Sequence, residues 1–236
     1  MPLQTKKHLS ATDRALVLLS GGIDSAVSLY WALSRGWDVR TLEFGYYQRP
    51  HREKTACERL CERAGIAKSI VVPLEFIREV SDIDGKELAG TFWEQAPQGY
   101  IPSRNLIFYS FAAYYAEILG ARFIVGGHNR GDSEEFPDAG KKFFDQMNEI
   151  LKSSVWSHSR LNVEILLPLV GLGKAEVVRL GNKLKVPFEL TWSCYHNGEA
   201  PCGICDSCSE RSESFLDAGI SDPLLAEANA GNLQKK

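Results

Sequence analysis

Ala15-Leu16-Val17-Leu18-Leu19-Ser20-Gly21-Gly22-Ile23-Asp24-Ser25 decides how the rest of this chain is read. Five consecutive apolar residues suit a strand buried on both faces of a parallel sheet, and the Gly-Gly pair ends the run. Ala26 to Arg35 continues at helical spacing, with Val27, Tyr30, Trp31 and Ser34 on one side and Gly36 beyond its end. A turn between a buried strand and a helix start gathers backbone N–H groups and the positive helix end at one point. An anion belongs there. Gly21 and Gly22 let the backbone approach closely, and Ser20 and Ser25 add hydroxyl donors. The blander alternative is a plain strand-to-helix connection with an Asp-Ser cap.

The loop lacks the Gly-Lys-Ser/Thr ending of kinases and small GTPases, and no third glycine completes a dinucleotide fingerprint. Outward from it, Val39 to Phe44, Ser69 to Pro73, Phe123-Ile124-Val125 and Val163 to Leu167 read as further strands. Arg52 to Ala64, Leu106 to Leu119 and Phe143 to Leu151 read as helices between them. This alternation predicts an α/β fold, a doubly wound parallel sheet whose ligand crevice lies at the carboxyl ends of the strands. Gly126 to Gly140 is expected to be a loop covering substrate, and Asp82 to Gly99 looks similar. Past Pro187 the composition shifts to Cys, Ser and Gly. The expected division is residues 1–189 as a nucleotide-binding α/β domain and 190–236 as a C-terminal cysteine lobe.

The 236 residues are 44% hydrophobic and 24% charged, a globular rather than disordered balance. A net charge of -3 is a poor footprint for holding nucleic acid, so a small-molecule substrate is expected. Met1 to Arg14 holds no apolar run suited to a signal peptide, and no segment approaches the roughly 20 apolar residues that span a bilayer. The expectation is a cytoplasmic protein with no membrane partner.

Cys194, Cys202, Cys205 and Cys208 crowd into one short window. Four thiolates suit a tetrahedral zinc ion and leave no position open for catalysis, so one structural zinc per chain is expected. Such a site contributes roughly 10–16 kcal/mol in small peptides, enough to order a lobe with little apolar content. An iron–sulfur cluster, unmetallated redox thiols, or His196 in place of one thiol are the alternatives. Cys57 and Cys61, four apart, read as small hydrophobes on a helix face.

Ser20-Gly21-Gly22-Ile23-Asp24-Ser25 resembles the pyrophosphate loop of the N-type ATP pyrophosphatases, which cleave ATP to AMP and pyrophosphate while adenylating a substrate oxygen. With the cysteine lobe added, the chain resembles the 7-cyano-7-deazaguanine synthase family of queuosine and archaeosine precursor biosynthesis over nearly its whole length. Tyr47-Gln48-Arg49 with His51 and Glu53 matches a family segment, interrupted here by Pro50. Pro102-Ser103-Arg104-Asn105 is similar to a Pro-Gly-Arg-Asn element. Asn129, Asp132 and Phe136-Pro137-Asp138 resemble a family loop, followed by Pro168-Leu169, Lys174, Glu176 and Thr191-Trp192-Ser193-Cys194-Tyr195, then by Arg211 and Phe215 after the cysteines. Two departures stand out: Ala139-Gly140 replaces the usual Cys-Arg, and a Glu134-Glu135 pair replaces a small residue.

The resemblance implies an ATP-dependent ligase that joins ammonia to 7-carboxy-7-deazaguanine, uses Mg²⁺, and forms a homodimer. It implies ATP contacts from Leu19, Ser20, Gly21, Gly22, Ile23, Asp24, Ser25 and Ala26. Lys174, Arg104 and Asp24 are the expected catalytic residues, with Asp24 serving either the metal's outer shell or the helix cap. Gln48, Arg104, Asp132, Phe136 and Asp138 are expected to bind the base. The competing readings are a paralogue that adenylates a different acceptor, and a non-catalytic nucleotide-binding zinc-ribbon module.

Overall fold

The computed structural model describes residues 14–46, 49–80, 100–156 and 161–225. Five strands form one sheet: β1 (Arg14–Leu18), β2 (Asp38–Tyr46), β3 (Ile70–Leu74), β4 (Phe123–Val125) and β5 (Glu164–Leu166). Their order is β3-β2-β1-β4-β5, and every pairing is parallel. Leu16 lies opposite Arg40 of β2 and Ile124 of β4. The chain winds from β1 out to β3, then crosses back to β4. The reversal leaves a crevice between the carboxyl ends of β1 and β4, where ligands of such sheets bind.

Side chains on a strand alternate between faces, so both faces of β1 must be covered. Ala15 and Val17 pack on one side against helices α1 (Ile23–Ser34) and α2 (His51–Arg63). Leu16 packs on the other side against α3 (Arg104–Leu119) and α5 (Lys141–Ser154). Helix α6 (Lys174–Lys183) packs on α1, and α7 (Asp206–Ala218), which carries the last of the four cysteines, Cys208, packs on α6. Phe215 of α7 meets Phe188 edge-on inside the first core.

Gly126 to Gly140, expected as a loop, contains helix α4 (Arg130–Glu135) and a 3-10 turn at Pro137–Ala139. The reason is a reciprocal cap. The Asn129 side chain accepts from the Gly131 and Asp132 amides at 2.8 and 3.3 Å, while Asp132 accepts the Asn129 amide at 2.9 Å. The similar stretch Asp82 to Gly99 lies outside the described residues. Among the described residues, no helix is long and apolar enough to cross a membrane.

Candidate active site

The turn from β1 to α1 is tightly wired. The Ser20 amide donates to Ser25 Oγ at 3.2 Å, the two hydroxyls are 3.1 Å apart, and Ser25 donates to the Gly22 carbonyl at 3.0 Å. Gly21 has φ +93°, and a Cβ there would fall 2.5 Å from the Glu53 carbonyl oxygen in the first turn of α2. Only glycine fits. The Trp192 amide donates to the Gly21 carbonyl at 2.9 Å, so the phosphate loop is tied to the chain just before the cysteines. Of the expected ATP contacts, Leu19 lines the crevice while Ala26 is buried in the core.

A cavity of about 310 Å³ opens at the carboxyl ends of β1, β2 and β4. Leu42, Phe44 and Phe108 form an apolar wall, on which Phe44 and Phe108 stack at 4.1 Å. Ser20, Asp24, Ser25, Arg104 and Asp132 form the polar side. Asp24 does not cap α1. Instead its carboxylate accepts from Lys174 Nζ at 3.1 Å and from the Asn129 amide group at 3.4 Å. Burial pushes the Asp24 carboxyl up, against the lowering pull of Lys174. Lys174 also reaches Glu210 at 3.2 Å. Burial alone would lower the Lys174 ammonium, but Asp24, Glu210 and Asp132 outweigh it and hold the lysine protonated.

The cavity thus brings together Asp24, Arg104 and Asp132, with Lys174 one contact behind. Phe136 and Asp138 stand elsewhere. The Asp138 carboxylate accepts the Asn105 amide at 3.1 Å in the first turn of α3, and Phe136 lies parallel to Tyr100 at 6.3 Å. Ala139 is buried, Gly140 precedes α5 as its cap, and Glu134 and Glu135 are exposed. None of these four lines the cavity. Gln48 lies outside the described residues.

Sequence reading gave no role to two residues that the fold places in the cavity. Arg49, nearly buried, donates to the Ser20 and Phe44 carbonyls at 2.8 Å each, and to Glu53 and Glu43 at 3.1 and 3.3 Å. It therefore ties the phosphate loop to β2 and α2. Burial raises the Glu53 carboxyl, with Arg49 opposing. His128, after β4, sits between Tyr109 and Phe144 at 5.7 and 5.0 Å. Burial, aided by the Arg104 charge, lowers its imidazole to about 4, so it is neutral at ordinary pH. The Gly-Gly-His-Asn string was the available signal, but the partners that desolvate the histidine come from α3 and α5.

The four C-terminal cysteines fit a metal. Their sulfurs all lie within 4.8 Å of one another, with Cys202 to Cys208 at 3.9 Å and Cys205 to Cys194 at 4.0 Å. A tetrahedron with Zn–S bonds of about 2.3 Å has edges near 3.8 Å. Cys194 Sγ accepts the amides of His196 and Cys202 at 3.4 Å each. Amide donation from Ile204 and then Cys205 lowers the Cys202 thiol to about 6. Burial instead raises the Cys194 and Cys208 thiols, and the four sulfurs together supply a full tetrahedral set of ligand positions. Cys57 and Cys61 are buried on α2, where Cys57 donates to the Leu19 carbonyl at 3.4 Å.

A serine- and glycine-rich phosphate turn at the reversal point of a parallel sheet, facing a lysine–aspartate pair, defines a nucleotide-binding α/β protein of the pyrophosphate-loop class. The family model described as "Queuosine biosynthesis protein QueC" matches residues 14–219, and the chain belongs to that family. The 7-cyano-7-deazaguanine synthase of Thermoplasma acidophilum is 41% identical over 219 residues, covering 91% of this chain and 92% of that one. The protein of the same name from Methanothrix thermoacetophila is 38% identical, covering 89% and 97%. That from Trichodesmium erythraeum is 35% identical, covering 90% and 100%. Among solved structures, the NMN synthetase of Francisella tularensis aligns with a TM-score of 0.49 at 19% identity, over 89% of this chain and 79% of that one.

Proposed function

We propose that the chain is an ATP-dependent ligase that converts 7-carboxy-7-deazaguanine and ammonia to 7-cyano-7-deazaguanine. The observation that carries this reading is the similarity to proteins of that name over about nine-tenths of the chain, with the family match running from residue 14 to 219 and so spanning both the phosphate loop and the four cysteines. The two departures, Glu134-Glu135 and Ala139-Gly140, do not weigh against it, because none of the four residues lines the cavity.

In the first step a carboxylate oxygen of the acceptor attacks the α-phosphorus of ATP and pyrophosphate leaves. Ammonia then attacks the acyl carbon, AMP departs, and an amide remains with release of a proton. The amide oxygen attacks a second ATP in the same way. Loss of AMP and of the remaining N–H protons gives the nitrile. Two anions must be held together, and the protein's task is to supply positive charge and donors where charge builds. Arg104 is assigned to the acceptor carboxylate, which its planar fork can bind at two points. Lys174 is assigned to the phosphates, with Asp24 holding its ammonium in place. Ser20, Ser25 and the loop amides receive the departing pyrophosphate. Mg²⁺ bound with ATP would offset part of the phosphate charge, and Asp24 and Asp132, which line the cavity, are the carboxylates assigned to hold it.

Cys194, Cys202, Cys205 and Cys208 are assigned to one structural zinc. Leu106, Tyr114 and Ile118 form an exposed apolar row on α3, the face assigned to a second copy in a homodimer. The deciding assay is release of AMP and pyrophosphate that requires both 7-carboxy-7-deazaguanine and ammonia. Formation of ADP, or no turnover with that acid, would overturn the assignment.

A further inference from the structure

A second cavity, of about 170 Å³, lies between the phosphate loop and the cysteine lobe. One wall is Gly22, Ile23, Asp24 and Lys174, from the start of α1 and of α6. The opposite wall is built by the lobe, through Ser193, Tyr195 and Ser207. Asp24 and Glu53 border both cavities, so the two spaces meet at the loop.

The lobe's wall is anchored at both ends by the metal-ligating cysteines. Ser193 and Tyr195 flank Cys194, and Ser207 adjoins Cys208. Arg211, buried and lining the same cavity, donates to Thr191 at 2.8 Å and to Ser193 Oγ at 3.5 Å, and it is itself held by Asp222 at 2.6 and 2.9 Å. The Trp192 amide on the Gly21 carbonyl fixes this wall against the loop. Ser193, Ser207 and Tyr195, the last two hydrogen-bonded to each other, thus border the same space as the N-terminal end of α1 and Lys174. Asp24, Glu53 and Glu210 also border it. A bare polyanion would meet those carboxylates unfavourably, whereas an anion that brings a divalent cation would not.

We infer that the cysteine lobe supplies the far wall of the pyrophosphate subsite, with Ser193 and Ser207 as binding residues for magnesium pyrophosphate. This rests on the reading that ATP is cleaved between its α and β phosphates. It gives the metal site a part in substrate binding, because the sulfurs that hold the ion also place the hydroxyls.

The test is calorimetric titration of the metal-loaded protein with pyrophosphate plus Mg²⁺, and separately with AMP. The comparison is between the wild-type chain and the Ser193→Ala, Ser207→Ala double variant, chosen for unchanged metal content and melting temperature. Loss of hydrogen bonds to a charged ligand should weaken pyrophosphate at least about tenfold and leave AMP unaltered. Unchanged pyrophosphate affinity in the double variant overturns the inference. Stripping the metal should likewise weaken pyrophosphate while AMP still binds; loss of neither, or of both alike, speaks against the lobe acting on this subsite. A wild-type protein that binds AMP but holds pyrophosphate no tighter than inorganic phosphate would fail at the underlying reading of ATP cleavage instead.

Discussion

Lys174 Nζ and Asp24 Oδ2 meet at 3.1 Å, joining the first turn of α6 to the first turn of α1 across the mouth of the phosphate loop. A carboxylate beside the loop looks out of place for an anion site until its partner is counted. On the proposed reading the pair holds a cation where phosphate charge is to be balanced, and Glu210 pairs with the same ammonium at 3.2 Å.

Replacing Lys174 with Gln therefore removes charge at the place where it develops. The expected cost is about 10²–10³ in kcat with a smaller change in KM for the acceptor, as for other lost transition-state donors. Steady-state kinetics on the folded variant check this. An unaltered kcat would mean that the lysine serves only to hold Asp24.

The cysteine lobe makes a separate prediction. Metal analysis of the purified protein should give zinc at one ion per chain, and Cys205→Ser should destabilise by about 4 kcal/mol or more, because loss of a metal site is among the few changes with so large an effect. Thermal melts with parallel metal determination test it, and iron in place of zinc would contradict it.

Ser103 holds φ 55°, ψ 27° at the N-cap of α3, in the left-handed region that costs an ordinary side chain about 1–2 kcal/mol. Its place in the Pro-Gly-Arg-Asn-like element is the glycine's. Ser103→Gly should raise stability by about 1 kcal/mol after the entropy of the unfolded glycine is counted, or about 2–4 °C in Tm for a chain of this size. Calorimetry reads the shift directly. A lower Tm would show that the hydroxyl contributes more than the backbone costs.

His128 gives a pH signature. Its folded value near 4 lies below the ordinary 6.5, so between those values the unfolded chain binds a proton that the folded chain refuses. Stability contributed by the neutral ring is complete above pH 6.5, falls as the pH drops and levels off below 4. Linkage makes the loss about 2 kcal/mol between pH 7.5 and pH 5. Urea unfolding of the wild type and of His128→Gln at both pH values should show the variant losing about that much less. Parallel losses in the two proteins would refute it.

What the sequence revealed was local. The strand, the Gly-Gly turn and the helix after it are contiguous, so burial pattern and turn chemistry could be read together, and the four cysteines announce their site by spacing alone. The parallel, doubly wound sheet followed from alternation, whereas its strand order came only from the fold. Asp138 and Phe136 were harder, because a turn residue and a base-binding residue look alike in sequence; in the fold the Asp138 carboxylate accepts the Asn105 amide and neither residue lines the cavity. The capped helix at Asn129 was legible in principle from Asn and Asp three apart, but the run of polar residues around it lacks the apolar rhythm that marks a packed helix. Arg49 escaped for a different reason: its partners lie on the loop, on β2 and on α2, and no one-dimensional pattern records that convergence.

The hydrogen bond from the Trp192 amide to the Gly21 carbonyl bears on how the chain is made. About 170 residues separate the two, so a growing polypeptide that has already exposed its phosphate turn still lacks the piece that braces it. At ordinary rates of synthesis the gap is roughly ten to thirty seconds. Throughout that interval the nascent protein carries a phosphate turn that lacks this brace.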